Sequence, residues 1–339
     1  MSHRPLLALA TVLLVAASCQ RAPQPVRLQG TAQGTYYTIA YYDSQGRDLG
    51  NSVKSFLDDF DCTASLWVES SLLRRVNSNT TDTVNHLFAD LFQKSDNIRR
   101  YTHGAFDCRV GRLVQAWGFS FRQSEEPNPA TLDSLLRSAH GSVWLDTTAN
   151  HDILLRKDDP ATELDFNAIA QGYSVDLLAR QFDSLGVENY LIDIGGEVIA
   201  KGRKPSGEAW TVGIERPAPT ADSPQELETA IRLEDASVVT SGNYRKYYER
   251  DGIRYSHTID PATGQPVQHS LLSVSVVSRE AWYADAMATA FMVMGMEQSL
   301  QFIHDHPENS DIQAVFFIYD DHGEYCTFAT PAFQQLIKE

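Results

Sequence analysis

Cysteine is scarce in this chain of 339 residues, and basic residues are outnumbered, 28 Lys and Arg against 44 Asp and Glu. A net charge of −16, with no local Lys/Arg cluster to reverse it, repels phosphate backbones and argues against nucleic acid as a partner. The 20 Gly and 14 Pro are ordinary for this length, so collagen-like and low-complexity classes drop out. No internal repeat of about 20 to 50 residues is visible, which removes solenoids. Beyond residue 20 no apolar run reaches the roughly 18 residues that a membrane-spanning helix needs. What remains is 42% hydrophobic, enough for one large domain or two medium ones with a sizeable core.

The first residues read as an address. Met1 to Arg4 carries one firm positive charge, and Leu6 to Ala17 is apolar apart from Thr11. As a helix that run would rise about 18 Å, short of the roughly 30 Å hydrocarbon core, so residues 1–18 are expected to be a signal peptide. Ala16, Ala17 and Ser18 lead into Cys19 in a pattern that resembles a bacterial lipobox, with Ala16 where Leu is usual. A lipidated Cys19 is then the expected mature N-terminus, with residues 19–25 as a tether. An ordinary signal peptide followed by a chance cysteine is the plainer alternative. Cys62, Cys108 and Cys326 are left, an odd number at wide spacings from which no disulfide framework or zinc site follows.

From about Val26 to Glu339 the pattern alternates between strand and helix without strict βαβ order. Thr35 to Tyr42, Tyr190 to Asp193, Trp210 to Ile214, Leu272 to Val277 and Ala314 to Tyr319 are rich in β-branched and aromatic residues. Helical periodicity is clearest in Val53 to Asp59, Val84 to Tyr101, Ala168 to Leu185, Tyr283 to Met294 and Met296 to His304. Loop signals sit at Glu125 to Pro129, Lys201 to Glu208 and Pro217 to Pro224. The expectation is an α+β fold with antiparallel sheets and packed helices, one catalytic domain over residues 26–339 with room for two lobes.

Four polar stretches could carry chemistry. Asp165-Phe-Asn-Ala-Ile-Ala-Gln-Gly-Tyr173 places a carboxylate just ahead of a helical pattern, as an N-cap or beside N–H groups suited to phosphate oxygens. Gly172 within that pattern costs about 1 kcal/mol relative to Ala, which suggests close approach of another backbone or a ligand. Asp193-Ile-Gly-Gly-Glu197 lacks the spacing of a dinucleotide fingerprint and reads first as a tight turn. Thr240-Ser-Gly-Asn-Tyr-Arg245 and Ser256-His-Thr-Ile-Asp-Pro-Ala-Thr-Gly264 are dense in polar groups, and His257 near Asp260 is either structural or part of an active-site rim. Asp285 and Thr289 stand at i and i+4 on an otherwise apolar helix. A carboxylate there needs a partner: a salt bridge, or a hard cation such as Mg²⁺ shared with the Thr hydroxyl.

Taken together these blocks resemble the ApbE family, the bacterial FAD:protein FMN transferases. The resemblance runs from Gly34-Thr-Tyr through Ala105-Phe-Asp, Val110-Gly-Arg-Leu-Val, Trp117-Gly-Phe, Asp165 to Tyr173, Asp193-Ile-Gly-Gly-Glu, Thr240-Ser-Gly-x-Tyr-Arg and Tyr255-Ser-His-Thr-Ile-Asp-Pro to Ala284-Asp-Ala-x-Ala-Thr. It implies transfer of the FMN part of FAD to a Thr or Ser hydroxyl of a partner flavoprotein, with release of AMP. Carried over by position, it places Mg²⁺ on the Ala168 carbonyl, Asp285 and Thr289. Flavin-nucleotide contacts fall on Ala105, Phe106, Asp107, Asp165, Gln171 and Ile259, with Gln33 and Trp67 at two more, and His257 is the candidate for proton handling or phosphate binding. Gln33 stands where the family often has Met, Trp67 where Tyr is frequent, Gln171 where Lys or Glu is common, and Ala288 where a further polar ligand sometimes occurs. The implied partners are FAD, flavin-bearing subunits of membrane redox complexes, and the periplasmic face of the inner membrane through the lipid on Cys19. The rival readings are an FAD pyrophosphatase giving free FMN and AMP, and a periplasmic flavin-binding lipoprotein without turnover.

Overall fold

The computed structural model describes residues 24–119, 127–217, 226–243, 247–250, 253–307 and 311–338. The expected signal peptide and Cys19, Glu125 and Glu126, the loop after Pro217, and Tyr244 and Arg245 lie outside the described residues.

The chain opens with a hairpin of β1 (Val26–Ala32) and β2 (Thr35–Tyr42). Helices α1 (Gly50–Ala64) and α2 (Leu72–Asn77), strand β3 (Thr83–Val84) and helix α3 (His86–Tyr101) follow. Periodicity carried the third of these helices back to Val84, but Asn85 caps it, its Oδ1 accepting the Phe88 N–H at 2.8 Å, and Val84 pairs as strand. Helices α4 (Gly111–Ala116) and α5 (Pro129–Ala139) precede the hairpin β4 (Val143–Thr147) and β5 (Ile153–Lys157). Helix α6 (Ala170–Ser184) leads to the hairpin β6 (Asn189–Ile194) and β7 (Glu197–Lys201). Then come the ribbon β8 (Trp210–Glu215) and β9 (Leu227–Leu233), and strand β10 (Ala236–Gly242). The chain ends with the ribbon β11 (Tyr247–Arg250) and β12 (Ile253–Ser256), strand β13 (Leu271–Ser278), helix α7 (Ala281–Asp305), the hairpin β14 (Ala314–Asp321) and β15 (Glu324–Ala329), and α8 (Pro331–Leu336).

Eight strands form one sheet in the order β1-β2-β6-β7-β10-β13-β14-β15, with every neighbouring pair antiparallel, so the α+β class is the one that forms. Its two faces separate by the period of two. Ile39, Tyr41, Ile192, Ile194, Val274 and Phe317 pack with α1, α3, α6 and α7 in the main core. Ala40, Val198, Val238, Val277 and Phe316 face the other way, under the β8–β9 ribbon and α8. Burial on both faces explains why β14 reads as a nearly continuous apolar run from Ala314 to Tyr319, while β13 buries Ser273, Ser275 and Ser278 among its apolar residues. A third, smaller core joins Leu113, Trp117, Leu135 and Ala139 of the α4–α5 region to Ile259, and Trp117 Nε1–H donates to Gly264 O at 2.7 Å.

Helix α7 is broken at Gly295, whose φ of +76° and ψ of 172° only glycine adopts readily. The two helical runs legible on either side of Gly295 are its two halves. Among the described residues, no helix is long and apolar enough to cross a membrane.

Candidate active site

The twelve residues singled out in the sequence, Gln33, Trp67, Ala105, Phe106, Asp107, Asp165, Ala168, Gln171, His257, Ile259, Asp285 and Thr289, all line one open cleft of about 680 Å³. It sits where the start of α6, the first half of α7 and the hairpin ends of the large sheet meet.

Its floor is built by a contact between two helices. Gly172 of α6 lies so close to α7 that a Cβ there would stand 2.4 Å from Ala281 O and 2.9 Å from Asp285 Cβ. The close approach expected at this glycine is therefore to a backbone. It lets the Gly172 N–H donate to Asp285 Oδ2 at 3.0 Å. In a regular helical continuation that N–H would bond Ala168 C=O, four residues earlier. The carbonyl is thus released from the ladder and makes no hydrogen bond with the described residues. Asp285 is almost wholly buried, and burial raises its carboxyl well above the usual carboxylate range, with the like charge of Asp176 pushing the same way. One turn on, Thr289 Oγ1 lies 3.3 Å from Ser241 Oγ of β10. A carboxylate, a freed carbonyl and a hydroxyl make an all-oxygen donor set, the kind a hard divalent cation takes. The described residues hold no cluster of three or more His, Cys, Asp or Glu side chains that would compete for such an ion.

Asp176 secures this floor from below. Its two carboxylate oxygens accept the Ala281 and Trp282 N–H groups, both at 2.8 Å, so α6 caps α7 by a tertiary contact. Burial pushes its carboxyl up to about 7 despite those two bonds.

The walls revise several expectations. Asp165 does not cap α6; its Oδ1 accepts the Asn167 N–H at 2.8 Å in a local turn, and α6 starts five residues later. Of the N–H groups at that helix start, Ala170 is bonded to Phe166 O and Gly172 to Asp285, which leaves Gln171 for an anion. Asp107 is buried and held by Arg109, whose Nε donates to its Oδ1 at 2.9 Å. Phe106 is buried behind it, its N–H bonded to Thr102 Oγ1 at 3.1 Å, while Ala105 is half-buried. Asp260 lies near His257 in sequence but closes its own turn, accepting from Ala262 N–H at 2.8 Å and Thr263 Oγ1 at 3.0 Å. His257 sits in the lining in a T-shaped contact with Phe119, ring centroids 6.5 Å apart, and Ile259 is buried in the small core.

At the mouth, Trp67 is 57% exposed and presents its indole to the cleft. Gln33 occupies the β1–β2 turn with φ +53°; its Oε1 accepts from Ser174 Oγ at 3.3 Å, while its buried Nε2 has no hydrogen-bond partner. The pair Gly195 and Gly196, at φ +67° and +108°, is the tight turn between β6 and β7 and also part of the lining. Sequence reasoning missed that Asp193 and Glu197, flanking this turn, face the same cleft, and it did not find Asp61 or Glu215. In all, seven carboxylates line the cleft, and no Lys or Arg does so among the described lining residues.

The sequence profile of the ApbE family matches residues 33–316. The chain belongs to the ApbE family. This ApbE-family chain is 32% identical to a protein of Vibrio cholerae serotype O1 named FAD:protein FMN transferase, over 98% of its own length and 99% of the relative's. A Haemophilus influenzae protein of the same name is 31% identical, with 98% and 96% covered. Among solved structures, the apo form of Pseudomonas stutzeri flavinyl transferase ApbE superposes with a TM-score of 0.80 at 31% identity, covering 94% of this chain and 98% of that one. Flavin transferase ApbE from Vibrio cholerae gives 0.78 at 30% identity, with 92% and 99% covered.

Proposed function

We propose that the chain is an FAD:protein FMN transferase that uses Mg²⁺ and moves FMN from FAD to a Thr or Ser hydroxyl of a partner flavoprotein, releasing AMP. What carries this reading is the cradle of Asp285, Thr289 and the freed Ala168 carbonyl on the floor of a cleft lined by seven carboxylates. A pyrophosphate brings further negative charge into an already acidic lining, so charge compensation has to come from a bound cation. When bound there, Mg²⁺ supplies Lewis-acid stabilisation of charge on the transferring phosphate.

The chain's own residues do the rest. Asp285 holds its carboxylate toward the cleft because the Gly172 N–H fixes Oδ2. Trp67 offers an aromatic face to the flavin ring, with Gln33 in the lining of the same cleft. The Gln171 N–H is the helix-end donor left for a phosphate oxygen. In the reaction the acceptor oxygen forms a bond to the FMN phosphorus while the bond from that phosphorus to the bridging pyrophosphate oxygen breaks, and the electron pair leaves with AMP. The hydroxyl proton must go to a base in the cleft, and His257 is the residue we assign to it. The expected address, a lipid on Cys19 at the periplasmic face of the inner membrane, would bring the cleft near membrane-bound flavoproteins.

The deciding experiment mixes the enzyme with FAD, Mg²⁺ and a purified apo subunit that normally carries covalent flavin, then images a denaturing gel for flavin fluorescence and assays AMP. A fluorescent acceptor band that disappears with chelator or when the acceptor Thr is replaced supports the transferase. Free FMN and AMP without a band would assign a pyrophosphatase instead, and neither product would leave a flavin-binding protein.

A further inference from the structure

The cleft extends past the cation cradle to the β8–β9 ribbon, and the way β8 meets it is unusual. Thr211, Val212, Gly213, Ile214 and Glu215, five residues in a row, all line the cavity, whereas β9 contributes only Leu227. Side chains alternate along a strand, so one face of the ribbon would contribute every second residue and would include the paired positions of β9. Consecutive lining from one strand means that the cleft is bordered by the strand's edge. That edge is open: Thr211 to Ile214 pair with β9 on one side, and their other backbone groups bond to no other described segment. The opposite edge of the ribbon is occupied, since Lys338 N–H donates to Ala230 O at 2.8 Å beside the Ile231–Ile337 bridge.

Natural sheets usually defend an open edge with Lys, Pro or an inward charge. The stretch Trp210-Thr-Val-Gly-Ile214 has none of these, and its one irregularity, a register shift between Ile214 and Glu215, lies at its end. At the centre stands exposed Gly213, where a Cβ would stand 2.6 Å from Leu227 Cδ2, so the missing side chain lets Leu227 lie across the strand and leaves its backbone uncovered at the edge. Two large, well-exposed apolar side chains line the same cleft, Leu227 at 66% exposure beside β8 and Tyr36 at 46%. A row of unpaired N–H and C=O groups repeating every second residue fits one kind of ligand well, the backbone of an extended polypeptide.

We propose that the acceptor protein docks by adding an extended segment to the open edge of β8, which delivers its Thr or Ser hydroxyl along the cleft toward Asp285 and Thr289. This rests on the transferase reading above. It makes recognition depend mainly on the acceptor's backbone and its ability to extend, with the apolar lip of Tyr36 and Leu227 choosing side chains beside the hydroxyl.

The test uses the full chain and the apo form of a subunit that normally carries covalent flavin. Hydrogen exchange is followed over the peptide spanning β8 with FAD present, before and after the apo subunit is added. Those amides of Thr211 to Ile214 that point away from β9, every second one, should slow at least tenfold on addition. In parallel, Thr211→Lys sets on the edge the charge that sheets use against pairing without the clash with Leu227 that a side chain at Gly213 would make, and kcat/KM for the acceptor should fall at least tenfold while the Kd for FAD stays within twofold. Flavin transfer with no added protection and an unchanged kcat/KM in Thr211→Lys would overturn edge docking and leave the transferase standing. Protection already present in the enzyme alone and rising with its concentration would give the edge to a second copy, which also overturns the proposal. Binding of FAD with no transfer to the subunit would bring down the transferase reading, and the docking proposal with it.

Discussion

At the scale of single residues, the site depends on two buried carboxylates that do different work. Asp285 faces the cleft with one oxygen fixed by Gly172 N–H, so Asp285→Ala should abolish Mg²⁺-dependent release of AMP, a loss of at least 100-fold. Asp285→Asn keeps the size and an acceptor for Gly172, and should fold like the wild type yet remain inactive. Normal turnover by the Asn variant would remove the carboxylate from the cation site. Asp176 faces inward and caps α7, and its pH dependence has a definite sign. Its carboxyl is pushed from the ordinary 3.8 to about 7 by burial, against the pull of its two N–H bonds. Between those values the folded chain keeps a proton that the unfolded chain gives up, so the proton's contribution to stability is complete below the lower value and lost as pH rises through the upper one. Asp176→Asn cannot titrate. The Tm of wild type relative to that variant should therefore fall between pH 5 and pH 8, and a difference that grows with pH would contradict this account.

At the scale of elements, two glycines set the geometry that those carboxylates need. A methyl at Gly172 would collide with Ala281 O at 2.4 Å, a backbone atom that cannot swing aside, so α6 and α7 would have to separate. Gly172→Ala should cost about 1–3 kcal/mol in urea unfolding and weaken cation affinity as well, because the bond to Asp285 stretches with the helices. Gly295→Ala should cost a similar amount, about 1–3 kcal/mol, through backbone strain at φ +76°, with cation affinity kept because the break lies beyond Thr289. Both positions were visible as breaks in helical patterns, which is why the helices themselves were legible: local periodicity and local exceptions sit in the same stretch of chain. The first strand was not. Val26-Arg-Leu-Gln-Gly alternates, but with two strong apolar residues it gives a weak signal until β2 pairs with it. The helix reading at Val84 failed because periodicity cannot see that Asn85 ends a strand and begins a helix.

At the scale of the whole molecule, what the sequence conceals is what distance in the chain conceals. The i, i+4 spacing of Asp285 and Thr289 was readable, but their meeting with Ala168 depends on α6 lying against α7, more than a hundred residues away in the chain. The order of the large sheet, which sets β2, β6, β7 and β10 side by side, has no local signature either. That order is what turns the hairpin carboxylates Asp193 and Glu197 toward the cleft. Because the site is assembled from elements along the entire chain, its occupation should be felt by the entire fold. A ligand that binds only the folded form stabilises it by RT ln(1 + [L]/Kd), about 2.7 kcal/mol at a hundredfold excess over Kd. For a chain of this size that amounts to a rise in Tm of roughly 5 °C. FAD with Mg²⁺ should give such a rise in a thermal scan. FAD with chelator should give much less, since the cleft lining then adds acid to acid, and Asp285→Asn should respond to FAD alike with and without the cation. An equal rise for wild type with and without Mg²⁺ would mean that the nucleotide finds its compensating charge elsewhere in the chain.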